Sequence, residues 1–290
     1  MSFKELFLTP DPKITNRAGG LKPLVKIFGV PFDATCTYRS GARFGPNSVR
    51  QAFQNIEIYS HHLDVDLEAL ELEDLGNLRQ TSSVQQMVDS VQKVVKELIS
   101  EESPFAILGG EHSLTFGSCS MLPSDTAIAV FDAHLDLRDE YADLRLSHAT
   151  FLRRLLELRK AATVVHVGSR AATAEEWRFA NDAGLTTISC DTIFAVDGSQ
   201  KLFTDFMIGF DTVYVSVDLD VLDPAFAPGV SNPEPAGLSS YQLLQFLYSL
   251  RGKKIVGFDI VELSPPYDNG SASVVAAKLL AEISCLSSLK

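Results

Sequence analysis

The sequence predicts an α/β protein, a three-layer α/β/α arrangement around a central, mostly parallel sheet. Two observations carry that expectation. Short, near-continuous apolar runs alternate with amphipathic stretches over most of the 290 residues, the pattern of strands covered on both faces. Acidic and imidazole residues collect where those runs end, and open parallel sheets bind ligands beyond the carboxyl ends of their strands.

The elements follow in chain order. "LVKIFGV" (24–30) is a short β-rich run, and "GPNSVRQAF" (45–53) opens a helix with Pro46 in its first turn. Within 82–100, Val84, Met87, Val88, Val91, Val94, Val95 and Leu98 fall at helical spacing. Apolar strands are expected at 105–110, 126–132, 163–168, 185–190, 211–220 and 254–263. Helices are expected at 151–160, 173–184, 239–250 and about 271–287. No repeat, low-complexity tract or linker divides the chain, so residues 1–290 read as one domain, with residues 1–20 as an extended arm.

Composition narrows the partners. A formal net charge of −12 argues against nucleic acid and is compatible with a small cationic substrate. No apolar run reads as long enough to span a bilayer, and the N-terminus lacks the apolar core of a secretory signal, so a cytoplasmic location is expected. Cys36, Cys119, Cys190 and Cys285 are scattered, and read as buried reduced thiols. His61 and His62 read as surface residues, His166 as a satisfied core histidine, and Arg39 and Arg43 as structural.

The chemistry lies at four strand ends. "FAILGGEHS" ends with Glu111 and His112, "AIAVFDAHLD" with Asp132, His134 and Asp136, "VYVSVDLDVLDP" with Asp218, Asp220 and Asp223, and "IVGFDIVELSPPYD" with Asp259, Glu262 and Asp268. Asp223 and Asp259 read as helix caps. Asp132, His134 and Asp136 fall at alternate positions and share one face of an extended chain. Four neighbouring carboxylates repel one another unless cations sit among them. Four Asp and two His, without a thiolate, suit Mn²⁺ over structural Zn²⁺. Six ligands exceed what one ion with an open position needs, so two ions about 3.5 Å apart fit better.

The blocks "GVPFD" (29–33), "YRSGARFGPNSVR" (38–50), "GGEHS" (109–113), "FDAHLD" (131–136), "SHATFLRR" (147–154), "SVDLDVLDP" (216–224) and "VELSPPYD" (261–268) occur in this order. Together they resemble the arginase/agmatinase (ureohydrolase) family, most closely its agmatinase branch. The resemblance implies an arginase-like three-layer fold and two Mn²⁺ per subunit. His112 and Asp136 would bind one ion, His134 and Asp220 the other, with Asp132 and Asp218 bridging. It implies hydrolysis of a guanidino group to urea plus an amine, foremost agmatine to putrescine and urea, a step of polyamine biosynthesis. Guanidinobutyrate, arginine and formiminoglutamate are alternative substrates. Asp136 would pass on a proton, His148 would shuttle protons to solvent, and Glu262 would hold the guanidinium by paired hydrogen bonds. The family resemblance also implies a homo-oligomer, a trimer or hexamer.

Two features depart from the family. Ala149 follows His148 where Gly is usual, and "LRDEYADLRLS" (137–147) lacks the residues with which arginases grip an amino acid. Asp139, Glu140 or Asp143 would there meet a terminal ammonium, or Arg138 or Arg145 a carboxylate, unless the segment is simply a solvated loop. Two competing readings are a metal hydrolase of another amide or phosphate ester, and a non-catalytic oligomeric relative.

Overall fold

Alternate side chains of the central strands enter two different cores, and this sets the three layers of the fold. In a computed structural model the described residues are 3–9, 12–16, 24–195 and 198–289; residues 1, 2, 10, 11 and 17–20 of the expected arm lie outside them. The strands are β1 (Phe7–Leu8), β2 (Thr15–Asn16), β3 (Val25–Gly29), β4 (Tyr59–Ser60), β5 (Val65–Asp66), β6 (Leu72–Leu78), β7 (Phe105–Leu108), β8 (Ala127–Phe131), β9 (Val164–Val167), β10 (Thr186–Ile188), β11 (Thr212–Asp218) and β12 (Lys254–Val261). The helices are α1 (Gly45–Phe53), α2 (Val84–Ser100), α3 (Leu114–Cys119), α4 (Phe151–Leu158), α5 (Ala174–Ala183), α6 (Cys190–Ala195), α7 (Ser199–Met207), α8 (Ser240–Tyr248) and α9 (Ser271–Ser288).

The main sheet runs β1-β6-β3-β7-β12-β11-β8-β9-β10, with β2 also on β6. From β6 to β10 every neighbouring pair is parallel. In this sheet, among the described residues, β1 and β2 pair antiparallel, both with β6; β4 and β5 form a separate antiparallel pair. Ala127, Ala129 and Phe131 of β8 enter the core shared with α1, α7, α8 and α9. Ile128 and Val130 enter the core shared with α2, α3, α4 and α5. This is the expected parallel sheet with helices on both faces.

Two elements correct the sequence reading. The first is β6, "LEDLGNL", whose Asp74, Gly76 and Asn77 mask its pattern. Arg50 of α1 accounts for them: its Nε and Nη2 donate to the two oxygens of Asp74 at 2.8 and 2.9 Å, and its Nη1 donates to Asn77 Oδ1 at 2.6 Å. Both charged side chains are fully buried, a bidentate pair that the strand pattern cannot reveal. The second is α9, which by length and mean hydropathy of 1.3 is apolar enough to cross a membrane. Its Ala276, Ala277, Leu280 and Ile283 instead pack in the core, where α9 lies against α1 and β12.

Candidate metal centre

The strand order β7-β12-β11-β8 sets four carboxyl ends side by side. After β7 the chain passes so close to the preceding loop that a Cβ on Gly110 would run into the Phe32 carbonyl, which a glycine avoids. His112 follows. Its Nε2 lies 2.9 Å from Ser216 Oγ in β11. That hydroxyl donates its only proton to Asp259 Oδ1 at 2.6 Å, so Nε2 is the donor and Nδ1 presents its lone pair.

His112 Nδ1 faces Asp132 Oδ2 at 2.9 Å, Asp218 Oδ2 at 3.2 Å and Asp136 Oδ2 at 3.7 Å. On the other side of Asp132, His134 Nδ1 lies 2.9 Å from Asp220 Oδ2 and 3.7 Å from Asp132 Oδ1. Backbone amides hold the acids in place: Asp132 Oδ1 accepts from His134 N, Asp218 Oδ1 from Asp220 N, and Asp220 Oδ1 from Ala133 N. Asp136 and Glu262 sit at positive φ, 50° and 63°, a backbone state uncommon for such residues and concentrated at functional sites.

Two groups of donor atoms thus form, His112–Asp132–Asp218 and Asp132–His134–Asp220, each within 4.8 Å and sharing Asp132. Among the described residues no lysine or arginine pairs with these acids. His112 Nδ1 and Asp132 Oδ2 are buried without a hydrogen-bond partner. A cation satisfies both, and the carboxylate–imidazole donor set fits a divalent ion.

Without a cation the cluster shares protons. Burial alone would lower the His112 pKa, but Asp132, Asp136 and Asp259 carry it up to about 9. For His134, burial is likewise outweighed by Asp220 and Asp132, and its pKa rises. Burial would raise Asp132, yet His112 and His134 hold it well below the usual carboxylate range. Burial and then neighbouring acids push Asp136 and Asp218 well above that range. His148 goes the other way, down to about 4, through burial and the positive charges of His134 and His112.

The cluster floors a cavity of about 360 Å³ lined by His148, Glu262, Thr37, Arg138, Tyr141, Glu176 and Asn232 as well as the metal-facing residues. Burial raises the Glu262 pKa, and its Oε1 accepts from His112 N at 2.7 Å.

Residues 24–285 match the model of the arginase family. The chain belongs to the arginase family. It lies in the agmatinase branch and is a hydrolase acting on guanidino compounds. An agmatinase of Pyrococcus horikoshii is 38% identical over 258 residues, 88% of each chain. An N(1)-aminopropylagmatine ureohydrolase of Thermococcus kodakarensis is 36% identical, covering 88% of this chain and 87% of that one. The crystal structure of agmatine ureohydrolase of Thermoplasma volcanium superposes with a TM-score of 0.89 at 36% identity, over 95% of this chain and 94% of that one. The family is generally dependent on a binuclear metal site, which the clustered His and Asp groups of this ureohydrolase fit.

Other sequence readings need correction in this arginase-family chain. Asp139 and Glu140 do not line the cavity. Asp139 instead receives Arg154 Nη2 at 2.6 Å, with Arg153 Nε at 3.5 Å, which ties the loop to α4. Arg145 pairs with Asp139 and Glu157 and is also outside the cavity. The cavity wall is made by Arg138, stacked over the Tyr141 ring at 4.8 Å, and by Glu176, 3.8 Å from Arg138 Nε. Glu176 belongs to the capping box that opens α5, so the sequence signal for it is helix chemistry. Asp259 is no cap: it lies within β12, buried, and accepts from Ser216, Tyr214 and Thr115. Asp223 accepts from Ala225 N and Gly237 N, closing a loop rather than a helix. His166 Nε2 meets the His134 carbonyl at 2.7 Å while its Nδ1 has no partner, so that core histidine is half satisfied.

Proposed function

We propose that this ureohydrolase converts agmatine to putrescine and urea with two Mn²⁺ ions held by His112, Asp132, His134, Asp136, Asp218 and Asp220. The two donor groups sharing Asp132 on the floor of a cavity that also holds Glu262 and His148 carry this reading. Bound there, the ions supply the missing positive charge and lower the pKa of water so that hydroxide exists near neutral pH.

The chain's own residues do the rest. Glu262 accepts paired hydrogen bonds from the guanidinium and presents its carbon to the attacking water. Asp136 takes the proton that water gives up. His148 delivers a proton to the leaving amine, whose C–N bond then breaks with the electron pair left on nitrogen. At the far end an ammonium group meets the Glu176 carboxylate. We also infer a cytoplasmic location and a homo-oligomer, a trimer or hexamer, which sedimentation would check.

A carboxylate-ended substrate such as guanidinobutyrate is a second reading, favoured by Arg138 on the same wall. Urea release over agmatine, arginine, guanidinobutyrate and formiminoglutamate (ammonia or formamide for the last) separates them. Agmatine is expected to give the highest kcat/KM. A higher value for guanidinobutyrate would replace agmatine by that second reading.

A further inference from the structure

The loop after β3 carries a hydroxyl that touches the proposed proton donor. Thr35 Oγ1 lies 3.1 Å from His148 Nδ1 and accepts from the His148 backbone N at 3.1 Å. On its other side it lies 2.6 Å from Glu111 Oε1. Glu111 receives two further donors, Ser113 Oγ at 2.6 Å on Oε1 and Thr35 N at 2.8 Å on Oε2. All four residues are buried. Neither Thr35 nor Glu111 belongs to the two donor groups, and Glu111 does not line the cavity.

A hydroxyl has one proton to give. Glu111, an acceptor surrounded by donors, takes the Thr35 proton, which leaves only lone pairs on Oγ1 for His148. The His148 Nδ1 must then be a donor, whether the ring is neutral or charged. Among the described residues no hydrogen bond engages Nε2, and the ring lines the cavity. We propose that Thr35, held by Glu111, is a positioning residue that fixes His148 as its Nδ1–H tautomer and makes Nε2 the nitrogen that exchanges protons with the substrate.

The role rests on the guanidino hydrolase reading given above. In that step the neutral Nδ1–H ring first takes a proton from solvent on Nε2; that Nε2–H bond then breaks as an N–H bond forms on the leaving amine, which returns the neutral ring. The other tautomer would turn an Nδ1 lone pair toward the lone pairs of Thr35 Oγ1 and leave Nε2 already protonated, unable to take a proton up in the cavity. Orientation of this kind acts on the chemical step and leaves guanidinium binding to Glu262.

The test compares Thr35→Val, Thr35→Ser and Glu111→Gln in the full chain. In Mn²⁺-loaded enzyme, Thr35→Val should lower kcat about tenfold or more, a part of the about 10²–10⁴-fold that a positioned acid or base contributes. KM should stay within about twofold, with bound manganese unchanged, and Thr35→Ser should restore kcat. Glu111→Gln should give an intermediate loss. In metal-free protein labelled with ¹⁵N-histidine, the His148 ring, assigned by its loss in His148→Asn, should report Nδ1–H, and Thr35→Val should shift it toward a tautomer mixture. An Nε2–H ring in the unmodified chain, or wild-type kcat and spectrum in Thr35→Val, overturns the proposal. If the unmodified chain hydrolyses no guanidino compound, the functional reading falls, and the spectrum still decides the tautomer.

Discussion

His112 Nδ1 lies 2.9 Å from Asp132 Oδ2, and both atoms are buried without a hydrogen-bond partner. Two groups held that close while the Ser216–Asp259 pair keeps the Nε2 proton elsewhere form half of a coordination site. The same Asp132 turns its other oxygen toward His134, so one carboxylate serves both halves.

Sharing has a measurable consequence. Asp132→Ala should lose both ions, whereas Asp220→Ala should keep the ion on the His112 side. Metal content after dialysis checks this, and equal loss in the two variants would contradict a shared ligand.

The buried carboxylate behind His112 should matter nearly as much as a ligand. Asp259→Asn should weaken metal affinity about 10–100-fold, the usual cost of removing a partner that orients a metal-binding histidine. Calorimetric titration of the metal-free protein reads it directly.

Protons and cations compete for the cluster. The folded pKa of His112 is raised from 6.5 to about 9, and His134, Asp136 and Asp218 are also raised. The metal-free native state therefore binds more protons than the unfolded chain above pH 6.5, and its stability falls as pH rises toward 9. His148, lowered to about 4, works in the opposite direction between pH 4 and 6.5. Thermal unfolding of metal-free protein should show a decline in Tm from pH 6.5 to 9. Mn²⁺ should flatten it, with proton release on binding.

Removing one partner of the fully buried Arg50–Asp74 pair leaves an uncompensated charge. Arg50→Met should therefore destabilise the chain by about 3–5 kcal/mol, and Arg50→Met with Asp74→Leu should cost less than that single change. Denaturant unfolding of the two variants gives the comparison.

These cases show what the sequence makes legible. The strands β7, β8, β11 and β12 read clearly because their apolar runs end abruptly in acids and imidazoles, but the extended alternation read in "FDAHLD" does not hold: β8 ends at Phe131 and Asp136 sits at a φ of 50°. The strand β6 is hidden because the partner of Asp74 lies 24 residues away. Asp259 is misread because a carboxylate near the end of an apolar run looks the same whether it caps a helix or anchors Ser216 within a strand. Asp139 is misread because a loop sequence does not say which side it faces. Here Arg153 and Arg154 turn it away from the cavity, and Glu176, hidden in a capping box, takes the wall.

The activity proposed for this acidic floor is two-ion hydrolysis of a guanidino group. Urea release from agmatine by Mn²⁺-loaded protein, beside chelator-treated protein and Asp132→Ala, tests it most directly. The loaded enzyme should release urea, and the other two should lose at least about a hundredfold of that rate, more than an outer partner's loss costs. A loaded enzyme that releases none, or an Asp132→Ala variant that works at full rate, would contradict it.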